Sequence, residues 1–393
     1  MPEPLSPQTI ALVKATVPAL AEHGPAITAA MYARLFRHEH IRALFNHANQ
    51  GKGGGQVNAL AVAILAYARN IENPAVLAHA IERIAQKHIG YHILPEHYPF
   101  VAEALLAAIQ DVLGEAATDE ILTAWGEAYW FLADVLKERE AVLREELATA
   151  AGGWTGWRRF IVAEKIRESS VITSFVLRPE DGGAVIRHKP GQYLTFRLGG
   201  DMKRNYSISC APNGENYRIS VKREANGQGG SRHLHDEVQV GDVLECTPPA
   251  GEFFLPDRPQ RPVILLSGGV GLTPMVAMAE TIAAEHPGLE AHYIHGTLNS
   301  GTHAMDAHVK ALAERCRMQV ATFYSEPLAG DAPAGMIPMN WLAQNTPLQD
   351  ADIFLCGPRA FLTFFVDALL QTGVAPDRIH YEFFGPADEQ LAA

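Results

Sequence analysis

The chain has 393 residues, with 32 Lys or Arg against 44 Asp or Glu, so its formal net charge is -12. This length predicts two or three domains, and the acidic balance argues against a surface that follows nucleic-acid phosphates. The four cysteines are widely spaced and form no CxxC pair, which favours a reducing compartment and argues against a thiolate metal site. No apolar run approaches the roughly 20 residues that span a bilayer, and no signal peptide is recognisable, so we expect a cytoplasmic protein.

The first 147 residues carry helical periodicity and nothing that predicts a strand. Apolar residues recur at helical spacing over residues 27–36, 57–71, 75–88, 95–113 and 119–147. Ser6 followed by Pro7 predicts a helix start. Breaks between helices are predicted at Gly24-Pro25, residues 51–55, Asn73-Pro74 and Leu94-Pro95.

Five polar side chains fall on the apolar faces of these helices, namely Tyr32, Gln56, His88, Tyr98 and Glu140. Burying such a group without a partner costs about 1–3 kcal/mol, and more for a charge, so a shared reason for their placement is expected. An ordinary structural role remains an alternative for each of these residues. The histidine could be a satisfied core residue, the glutamine part of a helix cap, the glutamate part of a solvated face, and the tyrosines ordinary core aromatics.

The periodicity changes from 3.6 to 2 after residues 148–154, which form a glycine-containing linker. Alternating stretches at residues 160–163, 171–177, 193–198, 206–209, 217–221 and 243–247 predict a six-stranded antiparallel β-barrel. Arg204-Asn205-Tyr206-Ser207 opens one of these strands and combines a guanidinium for phosphate, a flat ring and a hydroxyl. Gly229, Gly230 and Ser231 precede a predicted helix at 232–236 and suit a second phosphate contact; a plain hairpin loop is the alternative.

The last 130 residues alternate short apolar strands with helices, which predicts an open parallel sheet that binds ligands at the carboxyl ends of its strands. Strands are predicted at 262–266, 292–294, 320–324, 353–355 and 380–384. A glycine-rich segment, residues 267–274, follows the first strand and precedes a helix predicted from Met275, as a dinucleotide site requires. Cys356-Gly357-Pro358 ends another strand beside the same crevice, with a small buried cysteine as the alternative for Cys356.

Taken in order, these motifs resemble those of the flavohaemoglobins, in which a globin is fused to a module similar to ferredoxin-NADP reductase. Phe45, Gln56 and Gln86-Lys87-His88 carry the resemblance in the first part. Pro-Gly-Gln-Tyr, Arg-x-Tyr-Ser, Gly-Gly-Val-Gly-Leu-Thr-Pro and Cys-Gly-Pro carry it in the rest. The resemblance implies a multidomain fold: an all-α globin at 1–147, the linker at 148–154, an FAD-binding barrel at 155–258 and an NAD(P)H-binding α/β domain at 259–393.

For the globin part, the resemblance implies haem b with His88 as the proximal iron ligand. Glu140, helped by Tyr98, would accept the proton of the other ring nitrogen and make the imidazole a stronger electron donor. It further implies distal roles for Tyr32, Gln56 and Leu60, and a redox-tuning role for Lys87. The glycine run at 51–55 is longer than we expect for the family, which affects the pose of Gln56.

For the reductase part, the resemblance implies FAD, with Arg204 on the pyrophosphate and Ser207 on the flavin ring. The FAD residues that it implies are Tyr193, Arg204, Asn205, Tyr206, Ser207, Gly229, Gly230, Ser231, Phe383, Phe384, Gly385 and Pro386. The NAD(P) residues that it implies are Gly269, Val270, Gly271, Leu272, Thr273, Pro274, Cys356, Gly357 and Pro358. Residues 295–302 contain no Arg or Lys for a 2′-phosphate, which favours NADH over NADPH.

The activity implied is that of a nitric oxide dioxygenase, which converts NO and O2 to nitrate with electrons from NAD(P)H through FAD and so detoxifies nitric oxide. The expected partners are these small molecules, with no nucleic acid and no stable membrane insertion, and a monomer is expected. Two alternatives stay open. One is a self-reducing oxygen-binding or sensing globin; the other is a haem-dependent alkyl hydroperoxide reductase, with a lipid as ligand of the distal pocket.

Overall fold

The computed structural model describes residues 3–45, 55–199, 202–224 and 229–384, with the backbone alone for Gly55, Gln56 and Pro74. The chain divides into two compact units, one built on Met1–Thr149 and the other on Ala150–Leu198 and Arg204–Gly385. None of the described helices has both the length and the apolar content needed to cross a membrane.

The described part of the first unit is entirely helical, as predicted. Ser6 caps the first helix, because its hydroxyl accepts a hydrogen bond from the Thr9 amide at 3.0 Å. Its α-helices are α1 (Pro7–Ala15), α2 (Val17–Leu35), α3 (Glu39–Arg42), α4 (Gly55–Asn70), α5 (Ala78–Gly90), α6 (Tyr98–Leu113) and α7 (Asp119–Thr149). Short 3-10 turns lie at Pro74–Leu77, Pro95–His97 and Gly114–Ala116.

The break predicted at Gly24-Pro25 is wrong, because α2 continues through Pro25. A proline inside a helix removes one backbone donor and costs about 3 kcal/mol, so packing must compensate for it. Gly24 lies against α4, where an added Cβ would be 3.4 Å from the Cβ of Ala61. The Thr28 hydroxyl lies 3.1 Å from the Gly24 carbonyl and 3.0 Å from the Val57 carbonyl. The close contact between α2 and α4 therefore stabilises the helix through the proline.

Two apolar clusters form the core of this unit. The larger joins α1, α2, α4, α6 and the first half of α7, with Ile27 and Trp125 at 1% and 2% exposure. The smaller joins α5, the start of α6 and the second half of α7, and it includes Tyr98 and Leu136. Helices α6 and α7 contribute to both clusters. The two helices are therefore packed firmly, and so are the polar side chains that they direct toward α5.

The second unit begins with the predicted six-stranded antiparallel barrel. Its strands are β1 (Arg158–Arg167), β2 (Ile172–Pro179), β3 (Tyr193–Arg197), β4 (Lys203–Ser207), β5 (Tyr217–Lys222) and β6 (Val243–Cys246), in the order β4-β3-β6-β1-β2-β5. A bridge between Ile208 and Ile219 joins the two outer strands and closes the barrel. Strand β4 begins three residues before the predicted start, so the segment Arg204–Ser207 lies within it. One short helix, α8 (Gly230–Asp236), follows β5.

A parallel five-stranded sheet follows, again as predicted. Its strands are β7 (Val263–Gly268), β8 (Ala291–Thr297), β9 (Met318–Tyr324), β10 (Asp352–Gly357) and β11 (Ile379–Phe383), in the order β11-β10-β7-β8-β9. Its helices are α9 (Leu272–Glu285), α10 (Asp306–Ala313), α11 (Met339–Asn345) and α12 (Arg359–Gln371). The strand order reverses between β7 and β10, where the loops after the two strands flank a crevice suited to a ligand.

Helix α9 begins at Leu272, three residues before the predicted start at Met275. The 3-10 turn Gly269–Gly271 directly precedes it. Leu272, Thr273 and Pro274 therefore form the first turn of a buried helix, with Leu272 and Thr273 at 1% and 2% exposure, whereas the sequence predicted them in a loop.

Candidate functional site

His88 lies in the last turn of α5, and one side of its ring is fully engaged. Its Nδ1 is 2.6 Å from Oε1 of Glu140 and 3.1 Å from the hydroxyl of Tyr98. The Tyr98 hydroxyl donates to the same Glu140 oxygen at 2.5 Å. Three polar residues that the sequence placed on separate apolar faces therefore meet at one point.

The position of this trio follows from the local fold. Glu140 lies on α7 with 0% exposure, among residues of the smaller apolar cluster. Tyr98 is the first residue of α6, and the hydroxyl of Tyr129 donates to its carbonyl at 2.7 Å, which fixes the start of that helix. The solvated position considered for Glu140 is thus excluded.

The Glu140 carboxyl is held as a carboxylate. Burial raises its pKa, but hydrogen bonds from His88, Tyr98 and Arg144 outweigh burial and leave the pKa below its ordinary value. Burial, followed by the adjacent Glu140 charge, raises the pKa of Tyr98 well above its usual range. Tyr98 is therefore a proton donor to the carboxylate and stays neutral.

The sequence interpretation missed Arg144. It lies one helical turn after Glu140, and its Nη2 donates to Oε2 of that carboxylate at 3.1 Å. The same Nη2 donates to the Ile93 carbonyl in the loop after α5. The i,i+4 spacing of opposite charges on one helix was the available signal, but it is common on solvated faces.

The residues present fit a haem iron. A histidine whose Nδ1 proton is held by a carboxylate has its lone pair on Nε2, the form that binds iron. Among the described residues, Nε2 of His88 has no hydrogen-bond partner, and the side chain is 28% exposed. His88, with its ring orientation fixed by Glu140 and Tyr98, would hold a haem iron through Nε2.

The other predicted globin residues lie on several elements. The Tyr32 ring stacks on Phe36 at 5.4 Å between centroids and meets Phe45 edge-on at 5.7 Å. Leu60 on α4 is partly buried against the larger cluster, and Lys87 is exposed next to His88 in the sequence. The side chain of Gln56 lies outside the described structure; its backbone is in the first turn of α4.

The two predicted pyrophosphate contacts are adjacent in the barrel. An added Cβ on Gly230 would be 2.7 Å from Cγ of Arg204, so the arginine stem packs directly on the start of α8. Gly229 has a φ of +97°, which favours glycine and turns the chain into this helix. A hydroxyl at Ser231 accepts from the Glu224 amide at 3.2 Å. The arrangement brings a guanidinium close to the start of a helix, and both groups are suited to binding a phosphate.

The strand that carries Arg204 also holds an unsatisfied hydroxyl. The Oγ of Ser207 is buried and has no hydrogen-bond partner within the described residues, which is costly unless a ligand supplies one. Tyr206, next to it, packs on Phe196 with centroids 5.9 Å apart, and Asn205 is exposed. Tyr193 lies 8% exposed against Gly251, where an added Cβ would be 3.0 Å from its ring. The orphaned Ser207 hydroxyl fits a polar atom of a flavin ring.

The two predicted dinucleotide segments are also in contact. An added Cβ on Gly271 would overlap the Cys356 carbonyl, and one on Gly268 would be 3.2 Å from Pro358. The turn Gly269–Gly271, which includes Val270, therefore passes directly over the end of β10, Cys356–Gly357, and at position 271 there is room only for glycine. This close backbone approach at the reversal of strand order fits a nucleotide pyrophosphate.

Two of the predicted nucleotide residues face the protein instead. The Thr273 hydroxyl donates to the Val270 carbonyl at 3.1 Å, and burial raises the pKa of the Cys356 thiol well above its usual value, so the thiol stays protonated. At the chain end, the Arg359 guanidinium lies 5.0 Å over the Phe383 ring, while Phe384 is 42% exposed. Gly385 and Pro386 lie outside the described residues.

Three family models match successive parts of the chain. The Globin family model matches residues 29–136. The Oxidoreductase FAD-binding domain model matches 159–255, and the Oxidoreductase NAD-binding domain model matches 265–367. The prediction of haem, FAD and NAD(P)H as cofactors is confirmed at the level of these three domain families.

Several similar proteins cover nearly the whole length of the chain. A flavohemoprotein of Xylella fastidiosa strain 9a5c is 61% identical over 394 residues, with 99% of each chain covered, and one of Rhizobium meliloti is 46% identical over 97% of this chain and 98% of the relative. A flavohemoglobin of Malassezia yamatoensis with bound FAD and heme superposes with a TM-score of 0.85 at 26% identity, covering 97% of this chain and 100% of that one. The FAD/NAD-binding part of a nitric oxide dioxygenase from Vibrio cholerae is 40% identical over 58% of this chain and 99% of that one, with a TM-score of 0.54. With three matched domain families in one order and this identity over nearly all of its length, the chain belongs to the flavohemoprotein family.

Proposed function

We propose that the protein is a nitric oxide dioxygenase. The balanced reaction converts two nitric oxide and two dioxygen molecules into two nitrate ions, while one NADH becomes NAD⁺ and one proton is released. The Vibrio cholerae protein with a similar FAD/NAD-binding part is named for this activity. The observation that carries the proposal is the buried carboxylate of Glu140 on Nδ1 of His88 at 2.6 Å.

A carboxylate at this position serves chemistry better than reversible gas storage. Bound haem supplies a redox-active iron that holds a diatomic gas and exchanges single electrons. By accepting the Nδ1 proton, Glu140 raises the electron density of the imidazole and holds its ring orientation. Tyr98 keeps the carboxylate in place through its own hydrogen bond at 2.5 Å. A protein that only senses or stores a gas has no need for this electron donation.

Distal roles are assigned to Tyr32 and Gln56. We propose that the phenol of Tyr32 and the amide of Gln56 donate hydrogen bonds to the gaseous substrate, with Leu60 limiting the space around it. Lys87, exposed next to His88, adds a positive charge that biases electron flow toward the iron. The Tyr32 assignment is supported by its placement in the aromatic cluster with Phe36 and Phe45, and the Leu60 assignment by its position on α4 against the larger apolar cluster.

The second unit is proposed to deliver the electrons. Bound FAD and nicotinamide convert a hydride into single electrons, and the chain's own residues hold both. Arg204 and residues 229–231 would bind the FAD pyrophosphate, and Ser207 the flavin ring. The turn Gly269–Gly271 and the segment Cys356–Gly357 would place the nicotinamide nucleotide. We take NADH as the donor, because residues 295–302 contain no basic side chain for a 2′-phosphate.

Domain limits and cellular context complete the proposal. We place the globin at residues 1–147, the linker at 148–154, the FAD barrel at 155–258 and the nucleotide domain at 259–393. All four cysteines are free thiols, which supports a reducing compartment such as the cytoplasm. We propose a monomer, since one chain contains every element of the electron path.

The test is aerobic removal of nitric oxide by the protein loaded with haem and FAD, with nitrate measured and NADH varied. Catalytic loss that requires NADH and oxygen and forms one nitrate per nitric oxide is expected. A single stoichiometric burst that stops while NADH remains would contradict the proposal and favour a sensing globin. Faster NADH consumption with an alkyl hydroperoxide than with nitric oxide would favour the peroxide reductase.

The Glu140→Gln variant separates the first two functions further. Gln preserves the shape but cannot hold the Nδ1 proton as a carboxylate does, so catalytic turnover should fall by about 10- to 100-fold. In a protein that only senses oxygen, the same substitution should have little effect, because the signal is oxygen binding and oxygen affinity should change little. Unchanged turnover in this variant, with haem content equal to that of the wild type, would remove the observation on which the proposal rests.

A further inference from the structure

Glu140 accepts hydrogen bonds on both of its oxygens, and only one of them serves His88. Oε1 receives His88 and Tyr98, at 2.6 Å and 2.5 Å. Oε2 receives the guanidinium of Arg144 at 3.1 Å. The carboxylate is fully buried, and the arginine side chain is 20% exposed. The Glu140 carboxylate therefore binds both the positively charged Arg144 guanidinium and the His88 ring.

The arginine is held in this position by more than the ion pair. Its Nη2 also donates to the carbonyl of Ile93, and the amide of Ile93 in turn donates to the His88 carbonyl at 2.8 Å. Arg144 thus connects α7 with the loop that leaves the ligand helix. A guanidinium held by two hydrogen bonds keeps its charge at one distance from the carboxylate, and a fixed charge in a weakly polarisable interior acts strongly on its neighbours.

We propose that Arg144 limits the electron donation from Glu140 to His88 and thereby raises the reduction potential of the haem iron. The guanidinium draws the negative charge of the carboxylate toward Oε2, so Oε1 becomes a weaker acceptor for the Nδ1 proton. The His88 imidazole keeps more of that proton and donates less charge through Nε2. The inference rests on the proposed function in one respect, because His88 must be the iron ligand.

Such a limit has a purpose in a protein whose iron must be reduced by a flavin. An unopposed buried carboxylate would stabilise the ferric iron and make its reduction harder. Arg144 offsets part of that effect while Glu140 still fixes the ring orientation. We therefore assign to Arg144 a positioning and tuning role that acts through Glu140, without contact between the arginine and a substrate.

The alternative is a purely structural tie between helices, and the chain offers a matched control for it. Arg139, on the same helix, also binds α7 to α5, because its Nε donates to Glu82 at 2.6 Å. Its side chain is 34% exposed and that of Glu82 is 30% exposed. Within the described part of the chain, Arg139 makes no hydrogen bond to Glu140. Arg139→Met removes a helix tie of similar kind without touching the carboxylate.

The experiment uses the full-length protein with haem and FAD bound and two readouts besides activity. One is the iron–histidine stretching frequency of the ferrous haem in resonance Raman spectra, and the other is the haem midpoint potential from spectroelectrochemical titration. Arg144→Met should raise the stretching frequency and lower the potential. Arg144→Lys, which keeps the charge, should shift both less. Glu140→Gln should shift both in the opposite direction, and Arg139→Met should leave both unchanged.

The double variant Glu140→Gln with Arg144→Met tests whether the arginine acts through the carboxylate. With Gln at 140, removal of Arg144 should leave the stretching frequency where Glu140→Gln alone puts it. A shift equal to that in the wild-type background would overturn the inference, since Arg144 would then act directly on the haem. Unchanged readouts in Arg144→Met, in a variant whose thermal unfolding shows it to be folded, would equally overturn it.

The outcomes separate this inference from the proposed function. If His88→Ala retains the iron–histidine band, the ligand assignment fails and the inference with it. If the Raman and potential shifts appear as expected but nitric oxide is not removed catalytically, the dioxygenase proposal fails while the role of Arg144 stands.

Discussion

Arg218 of the barrel strand β5 lies 2.6 Å from Glu280 of helix α9 in the nucleotide-binding part, with the two side chains 18% and 14% exposed. The other Glu280 oxygen accepts the Ala211 amide at 2.7 Å, and His308 lies 2.7 Å from the first. Helix α9 begins directly after the glycine turn of the proposed dinucleotide site. This network, with Arg218 and Glu280 mostly shielded from solvent, therefore holds that turn in a fixed position relative to the barrel.

Replacing Glu280 by Gln should weaken the junction between barrel and nucleotide domain. Removal of one partner of a buried ion pair leaves the other charge uncompensated, and we expect a loss of about 3 kcal/mol, the lower end of the range for such pairs. The measurement is the denaturant midpoint at which FAD is released, together with the rate of FAD reduction by NADH, which should fall.

Glu285→Gln is the matched control for this change. Glu285 lies on the same helix and reaches Arg187 of the barrel part at 2.8 Å, but the two side chains are 45% and 59% exposed. Such a pair contributes less than about 1 kcal/mol. Equal effects of the two substitutions would show that burial of the Glu280 network does not matter to the junction.

The same network predicts a pH dependence. Burial raises the pKa of Glu280, but the His308 hydrogen bond, the Arg218 charge and the Ala211 amide outweigh burial and hold it below its ordinary value. A lowered folded-state pKa stabilises the protein above the unfolded value of about 4.3, and this contribution is lost as the pH falls through the folded value. The stability difference between wild type and Glu280→Gln should therefore shrink as the pH falls below about 4. A difference that grows below about pH 4 would contradict the assigned sign.

The fold was predictable wherever the signal is local. The alternation along Tyr193–Arg197 and the apolar run of Val263–Gly268 predicted these strands correctly. Both signals lie within the strand's own residues and do not depend on distant contacts. The continuation of α2 through Pro25 was not predictable, because it depends on contact with Ala61, which lies far along the chain on α4. The early start of α9 likewise depends on packing of Leu272 in the core.

The proposed site shows the same limit. Periodicity placed Glu140 on an apolar face, and the structure gives it 0% exposure. Its third hydrogen-bond partner, Arg144, was missed, because an i,i+4 pair of opposite charges is informative only once the loop with Ile93 is known to lie against it. The sequence also cannot show that the Ser207 hydroxyl lacks a hydrogen-bond partner among the residues that the structure describes, because this depends on the groups that surround the folded strand.

Ser207→Ala should weaken FAD binding without weakening the protein. The buried hydroxyl has no partner among the described residues, so its removal takes away no internal hydrogen bond and relieves a desolvation cost. We expect the FAD dissociation constant to rise by about 5- to 30-fold, which corresponds to about 1–2 kcal/mol, while the apoprotein stays as stable or becomes more so. Fluorescence titration of apoprotein with FAD and thermal unfolding measure the two quantities.

Ser209→Ala provides the contrast, because that hydroxyl lies 2.8 Å from the Ser220 hydroxyl and donates to the Arg218 carbonyl at 3.1 Å. Its removal breaks internal hydrogen bonds and should destabilise the apoprotein by about 1 kcal/mol. A destabilised Ser207→Ala apoprotein with normal FAD affinity would show that the hydroxyl has an internal partner and no ligand role.

Gly271 and Gly269 allow steric and conformational effects to be separated in the proposed dinucleotide turn. Gly271 has an ordinary φ of -60°, but an added Cβ would overlap the Cys356 carbonyl, so Gly271→Ala must push the turn away from β10. Gly269 has a φ of +56° with open space around it, so Gly269→Ala costs only about 1–2 kcal/mol of backbone strain. We expect Gly271→Ala to slow flavin reduction by NADH at least tenfold, with unchanged FAD content, and Gly269→Ala to slow it less. Stopped-flow reduction under anaerobic conditions compares them, and a larger effect at Gly269 would mean that the close approach to β10 does not shape the nucleotide site.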